Sequence, residues 1–406
     1  MRKVWIINHY AQNPGGPGGT RHYSLAKYLY RFGWSAIIIA ASVELNTGRQ
    51  RLKKGELKKL ERYGEVPFLW LRVPTYKGNG IGRISNMLDF TTKVIQKRYV
   101  IDLPRPDVII GSSVHPFAAW AGANWADRFH VPFIFEVRDL WPQTLVDMGR
   151  LSSGGIIARS LYRLEKMLYK RADRIVVLFP RASEYIEQLG IQPDKVVYIP
   201  NGVDLADFPE IPPPFERDVF NLMYFGAHGN ANDLANLLNA VVILRKRGTY
   251  NKLRLRLIGE GPLKAELQAQ AKVNNLDNVF FEPPVSKERI PSLAAEADGF
   301  VITWCNLPGI YRFGISPNKL FDYLAAGRPI VIALDAANNP VEEAGAGITV
   351  PPEDPESLAD AIEKMTLSTY QKRLEYGKNA RQYVEMYHDF PILAKKLSIT
   401  LDALCR

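Results

Sequence analysis

Short apolar runs of strand length alternate with longer stretches of helical period along nearly the whole chain. In the first half, runs at 4–7, 35–40, 66–73, 108–110, 133–137 and 175–178 read as strands, with a helix predicted over 20–32 between the first two. The second half repeats the pattern, with strands at 221–224, 253–258, 279–282, 299–302 and 330–333 and helices at 232–246, 263–274 and 357–364. Strands alternating with helices predict an α/β fold with parallel sheets, here two in series. Between them lie Pro200-Asn201-Gly202-Val203-Asp204 and the stiff run Pro212-Pro213-Pro214. The chain beyond Arg373 reads as two helices joined near Tyr387-His388-Asp389-Phe390-Pro391.

With 406 residues the chain exceeds what one ordinary core organises, which agrees with two domains. The expected limits are 1–205 for the first domain, 206–218 for a linker, 219–385 for the second domain and 386–406 for a terminal helix. The longest uncharged run, 108–126, is interrupted by serine, histidine, proline and asparagine, so no membrane span is expected, and the N-terminus lacks the core of a signal peptide. Cys305 and Cys405 are the only cysteines, which supports neither a disulfide framework nor a zinc site. A reducing, cytoplasmic setting is expected.

Charge divides unevenly. The first 200 residues carry a net charge of +14 and the remainder −4. Seven bases fall between Gly48 and Arg62, on a stretch that could be helical, and a second stretch, 81–99, sets Ile81, Ile84, Met87, Leu88, Val94 and Ile95 among Arg83, Lys93, Lys97 and Arg98. Such faces meet anionic lipid, nucleic acid or a phosphorylated acceptor, or they are a solvated surface and ordinary core.

The most specific chemistry lies in Gly314-Ile315-Ser316-Pro317-Asn318-Lys319-Leu320-Phe321-Asp322-Tyr323-Leu324-Ala325-Ala326-Gly327-Arg328-Pro329. Lys319 and Asp322 stand three residues apart at the mouth of a short helix. Free N–H groups there attract phosphate, a lysine adds a point charge, and an aspartate one turn in accepts two hydrogen bonds from a vicinal diol. Together they suit a nucleotide sugar. Other glycine-rich turns follow predicted strands: Pro14-Gly15-Gly16-Pro17-Gly18-Gly19-Thr20-Arg21, Gly226-Ala227-His228-Gly229-Asn230 and Gly259-Glu260-Gly261. They can bring backbone close to a ligand or simply be flexible loops, and the first does not fit a dinucleotide fingerprint. His115 and the cluster Glu136-Val137-Arg138-Asp139 end two further strands. A histidine held by backbone groups, and an internal Glu136–Arg138–Asp139 network, stand beside the functional readings.

These motifs resemble the retaining GT-B glycosyltransferases of family 4, in the subset that assembles bacterial surface polysaccharides such as O-antigen and capsule. The resemblance covers nearly the whole chain and is most specific over 310–331. It implies two Rossmann-like domains facing across a cleft, with the terminal helix crossing back to the first. It also implies that Asp322 holds the donor ribose and that Gly16, Gly18, Gly19, Gly226, His228, Gly229, Asn230, Gly259, Gly261, Ser316, Asn318 and Leu320 flank the nucleotide. Val285 offers backbone groups to the base, His115 contacts the transferred sugar, and Thr20, Arg21, Glu136 and Arg138 meet the acceptor, with Arg138 and Asp139 among the catalytic candidates. The chain departs from the family at three points: Ala227 and Asn232 stand where phosphate-binding Arg and Lys are usual, and Gly314 replaces the first of two acids spaced eight apart. Lys319 is expected to supply the missing charge, with Arg312 and Arg21 behind it.

The implied activity is transfer of a hexose or N-acetyl-amino-hexose from a nucleoside diphosphate, UDP being favoured, to a lipid-linked saccharide, with retention, without metal or cofactor, and at the cytoplasmic face of the inner membrane. A nucleotide-sugar epimerase or hydrolase using Glu136, His115 and Asp139, and a nucleic-acid-binding protein suggested by charge alone, are the rivals.

Overall fold

A computed structural model of the chain describes every residue except 17, 18, 45–47, 77, 79, 114, 213–215 and 406. It separates into two compact units, Met1–Pro200 with Phe390–Arg406, and Asn201–Asp389. The first boundary therefore falls before Asn201, and the run 201–205 belongs with the second unit.

In the first unit eight strands form one sheet: β1 (Arg2–Ile7), β2 (Trp34–Ala41), β3 (Lys58–Tyr63), β4 (Val66–Leu71), β5 (Val108–Ser113), β6 (Phe133–Val137), β7 (Arg174–Val177) and β8 (Val196–Tyr198). Their order is β3-β4-β2-β1-β5-β6-β7-β8, and only the β3–β4 pair is antiparallel. The strands are almost continuously apolar because helices cover both faces. Val4 and Ile6 face a core shared with the Arg21–Leu29 and Phe390–Leu404 helices, while Trp5 points the other way onto Trp125. That second face carries the Ile81–Ile95, Pro116–Phe129 and Ile156–Arg171 helices. Gly111 lets the middle one approach closely, since a Cβ there would lie 2.7 Å from the Cα of Ala119.

The second unit has six parallel strands, β9 (Phe220–Phe225), β10 (Leu253–Ile258), β11 (Val279–Glu282), β12 (Gly299–Thr303), β13 (Ile330–Ala333) and β14 (Gly347–Val350), in the order β11-β10-β9-β12-β13-β14. The Leu234–Arg247 and Pro355–Thr366 helices close one face, and the Asn318–Ala325 and Tyr370–Tyr387 helices the other. Strand order reverses between β1 and β5 in one sheet and between β9 and β12 in the other. Ligands of open parallel sheets bind at such switch points, beyond the strand carboxyl ends.

One expectation is corrected, and one left open is divided between its two readings. The basic run 48–62 is not a helix. Its latter part is β3, an edge strand of sequence Lys-Lys-Leu-Glu-Arg-Tyr paired antiparallel with β4. Its charges are also largely spent locally: Arg49 and Arg51 meet Glu44, Lys58 meets Asp102, and Lys59 meets Glu61. The 81–99 stretch is helical to Ile95, but Met87 and Val94 are core residues, leaving only Ile81, Ile84 and Leu88 exposed. Among the described residues no helix is long and apolar enough to cross a membrane.

Candidate functional site

In the second unit, the loop after β9, the strand end of β12 and the Asn318–Ala325 helix enclose the Lys319 side chain. Its ammonium donates to the Tyr224 hydroxyl at 3.0 Å and to Asn232 Oδ1 at 2.5 Å, and lies 4.4 Å and 5.5 Å from the ring centres of Tyr224 and Trp304. Burial in this cage, with no carboxylate bonded to it, brings the lysine pKa down to about 7. Asn232 stands where the family places a lysine, so the charge reaches that spot from the facing helix. Gly226 permits this, because a Cβ there would sit 3.4 Å from Lys319 Cδ and 2.9 Å from the Tyr224 hydroxyl. The amides of Gly229 and Asn230 donate to nothing among the described residues.

One turn further along the helix, Asp322 is buried and both its oxygens accept from Lys287 Nζ, at 2.5 and 2.6 Å. Burial pushes its carboxyl pKa up and the Lys287 charge opposes this. Lys287 escaped the sequence reading although it follows the Pro284-Val285-Ser286 segment assigned to the base. Val285 itself is half-buried against the core. The carboxylate keeps lone pairs beyond the two that Lys287 uses.

Several other predicted donor residues have structural duties instead. Leu320 is fully buried in the core beneath the helix. Ser316 accepts from the Asn201 amide through its hydroxyl at 2.8 Å, and from the Asn201 side chain through its carbonyl. Gly259 and Gly261 let two loops zip together: Gly226 N donates to the Ile258 carbonyl and His228 N to that of Glu260, and a Cβ on either glycine would collide with the 226–228 backbone. His228 is buried with both ring nitrogens unpartnered, and burial lowers its pKa. Arg312 is exposed and packs on Phe313, outside the Lys319 cage. Asn318 opens the helix. Gly314 has a φ of 109°, a backbone state that an acid would adopt only under strain, which gives a local reason for its place in the loop.

In the first unit Arg21 and Glu136 do not present themselves to an acceptor. They are buried against each other, Arg21 Nε to Glu136 Oε1 at 2.9 Å, while the guanidinium also donates to the carbonyls of Ile199 and Pro200. His22 completes the pairing at 2.5 Å and is bonded in turn to Asn8 at 2.9 Å. Burial would raise the Glu136 pKa, but the His22 and Arg21 charges hold it well below the usual carboxylate range. Arg21 therefore leaves the list of phosphate cations.

A different set of groups remains open at the ends of β1, β5 and β6. His115 is fully buried, 2.7 Å from His9 through Nε2, and burial keeps its pKa well below 6.5, with His9 lowered to about 3 by the same cause. Both rings are neutral at physiological pH. Buried atoms of these three strand ends, His9 Nε2, Ser112 Oγ, His115 Nδ1 and Arg138 Nε, have no hydrogen-bond partner among the described residues. Asp139 is exposed beside them. Of the glycine-rich loop, Gly16 makes a tight turn onto Asn13, Gly19 and Thr20 lead into the Arg21–Leu29 helix, and Gly18 lies outside the described residues.

Residues 16–202 match the family model of a glycosyl transferase 4-like domain, and 219–367 that of glycosyl transferases group 1. WbjE of Pseudomonas aeruginosa, ascribed glycosyltransferase activity, is 26% identical over 57% of this chain and 59% of its own length. WcaI of Escherichia coli (strain K12), ascribed a glycosyl transfer in colanic acid biosynthesis, is 23% identical over 69% of this chain and 70% of its own. The chain thus spans about three fifths of the first of these relatives. A crystal structure of Anabaena Alr3699/HepE in complex with UDP and glucose superposes with a TM-score of 0.67 over the full length of both chains, at 16% identity.

Proposed function

Because the chain belongs to the GT-B glycosyltransferases with a 4-like first domain and a group 1 second domain, we propose that it moves a hexose or N-acetyl-amino-hexose from a UDP-sugar to a hydroxyl of a lipid-linked saccharide in surface-polysaccharide assembly. The observation that carries this reading is the pairing of Lys319 and Asp322 on one short helix, a caged cation beside open loop amides and a buried carboxylate one turn away. The UDP complex of the Anabaena protein and the colanic acid role ascribed to WcaI support the nucleotide and the setting.

The reaction runs with retention and without metal. Asp322, the carboxylate one turn from Lys319, is engaged by Lys287. The acceptor oxygen bonds to the anomeric carbon on the face from which the phosphate oxygen departs, and the acceptor proton passes to that leaving oxygen. Lys319 and the amides of Gly229 and Asn230 meet the charge that grows on the diphosphate. Arg138 and the neutral His115 offer the acceptor side a cation and an unused ring nitrogen. The epimerase or hydrolase reading loses two of its three candidates here, since Glu136 is locked in an ion pair and His115 does not titrate near neutrality, which leaves it Asp139 alone.

Calorimetry with UDP tests the donor site. Asp322→Ala should weaken binding by about 1.5–3 kcal/mol, the scale of hydrogen bonds to a charged group. Unchanged affinity in the folded variant removes ribose binding from Asp322. Release of UDP that depends on an added lipid-linked acceptor separates transfer from hydrolysis and epimerisation.

A further inference from the structure

Lys287, Glu288 and Arg289 form one turn of 3₁₀ helix after β11, and of these three charged side chains only Lys287 is drawn in from solvent. Arg289 N closes the turn on the Ser286 carbonyl at 3.0 Å. The turn leads into the Ile290–Ala294 helix, whose Ile290, Leu293 and Ala294 enter the same core as Leu320, Tyr323 and Leu324 of the Asn318–Ala325 helix. The backbone under Lys287 is thus held against the helix that carries Asp322, and the two side chains meet across 35 residues of chain. The lysine gives both its bonds to one carboxylate, at 2.5 Å to Oδ1 and 2.6 Å to Oδ2, and makes no others among the described residues.

Two bonds from one ammonium fix the plane of the carboxylate. They also take one lone pair from each oxygen and leave the other, so that two acceptors remain side by side, as two adjacent hydroxyls require. Without the lysine the carboxylate would stand buried and alone. Burial raises the Asp322 pKa, and Lys287 is the charge that opposes this. The other titratable and charged groups packed about this helix are turned elsewhere: Lys319 to Tyr224 and Asn232, Arg381 to Glu385 and the Ala325 carbonyl, His388 to the Asn201 carbonyl, and the Tyr323 hydroxyl to the Phe225 carbonyl. A protonated carboxyl would turn one of its oxygens into a donor and lose the charge that strengthens its hydrogen bonds.

We propose that Lys287 is a positioning residue for the nucleoside: it holds the Asp322 carboxylate ionised and in one plane, so that the outer lone pairs select a ribose 2′,3′-diol over a 2′-deoxyribose. The inference rests on the reading of Asp322 as the ribose-binding group and adds to it the residue that makes this carboxylate selective. The lysine is 29% exposed and the aspartate 7%, so the cation lies on the solvent side of the pair. A clamp and a plug at that place differ in sign: removing a clamp weakens nucleotide binding, and removing a plug strengthens it.

The experiment is calorimetry of the full chain with UDP and with 2′-deoxy-UDP over about pH 5–9, the range into which burial can carry a carboxyl. The ratio of the two affinities cancels whatever Lys319 does at the diphosphate, which both ligands share. Wild type should prefer UDP by at least about tenfold, the scale of one hydrogen bond to a charged group, at every pH in the range. Lys287→Met should bind UDP more weakly, with a preference that falls below about threefold at acid pH and grows as pH rises and Asp322 ionises. Lys287→Arg, which keeps the charge, should restore the wild-type pattern, and Asp322→Asn, which copies the protonated carboxyl, should show the small preference at every pH. A wild type without preference, or an Asp322→Asn variant that keeps it, would strike the ribose reading itself. A preference lost in Asp322→Asn yet unchanged and pH-independent in Lys287→Met, or tighter UDP binding by Lys287→Met, would overturn this inference alone.

Discussion

Replacing Glu136 by alanine is expected to lower the stability of the first unit by about 3–5 kcal/mol, the cost of breaking a buried ion pair by removing one partner. Arg21 is 1% exposed and would keep only the carbonyls of Ile199 and Pro200 for its charge. His22 would lose its carboxylate as well. Six of the seven tryptophans lie in the first unit, at 5, 34, 70, 120, 125 and 141, so urea unfolding followed by tryptophan fluorescence reports on it. Because the folded-state pKa of Glu136 is depressed from 4.5, its stabilisation is present above about pH 4.5 and is lost as pH falls through the lower folded value. The gap between wild type and variant should hold from neutral pH down to mildly acidic conditions and narrow below. A loss under about 1 kcal/mol at neutral pH would show that the pair is not the strut inferred here.

The alternation of apolar runs and helical stretches was sufficient to read two parallel sheets, because strands covered on both faces cannot hide their hydrophobicity. What stayed illegible were elements whose burial is incomplete. β8 and β14 are short and only partly covered, and β3 is a charged edge strand whose bases look like any surface. The Ile156–Arg171 helix was missed for a related reason: Ile156, Ile157 and Met167 face solvent and blur the inward stripe of Ala158, Leu161 and Leu168.

The second unit's site was more legible than the first's. Lys319 and Asp322 could be paired from spacing alone, since a helix start fixes what lies one turn apart. Lys287 could not, because its partnership with Asp322 is made across the fold rather than along the chain. In the first unit a strand-end acid and an arginine at the start of a helix look the same whether they bind a ligand or each other. Only three-dimensional placement showed Arg21 and Glu136 closing on themselves, and left Arg138, His115 and Ser112 as the groups with unused capacity.

Lys319→Ala is expected to lower kcat by about 10²–10³-fold, the range for losing one donor aimed at developing charge. The effect on kcat should exceed that on UDP binding, because the diphosphate gains charge as the sugar bond breaks. A second signature comes from the cage of Tyr224, Asn232 and Trp304 with His228 nearby, none of which carries a negative charge at neutral pH. In the ligand-free protein the lysine is brought to about 7, so above that pH it is mostly neutral and must take up a proton when a diphosphate arrives. UDP affinity of the wild type should therefore fall as pH rises beyond 7, by up to about tenfold per unit, while binding shows net proton uptake in buffers of differing ionisation enthalpy. The alanine variant should bind UDP with a flatter dependence over the same interval. Near-normal turnover in that variant would hand the diphosphate to Arg312, and an identical slope in both proteins would mean that the caged lysine does not meet the phosphate at all.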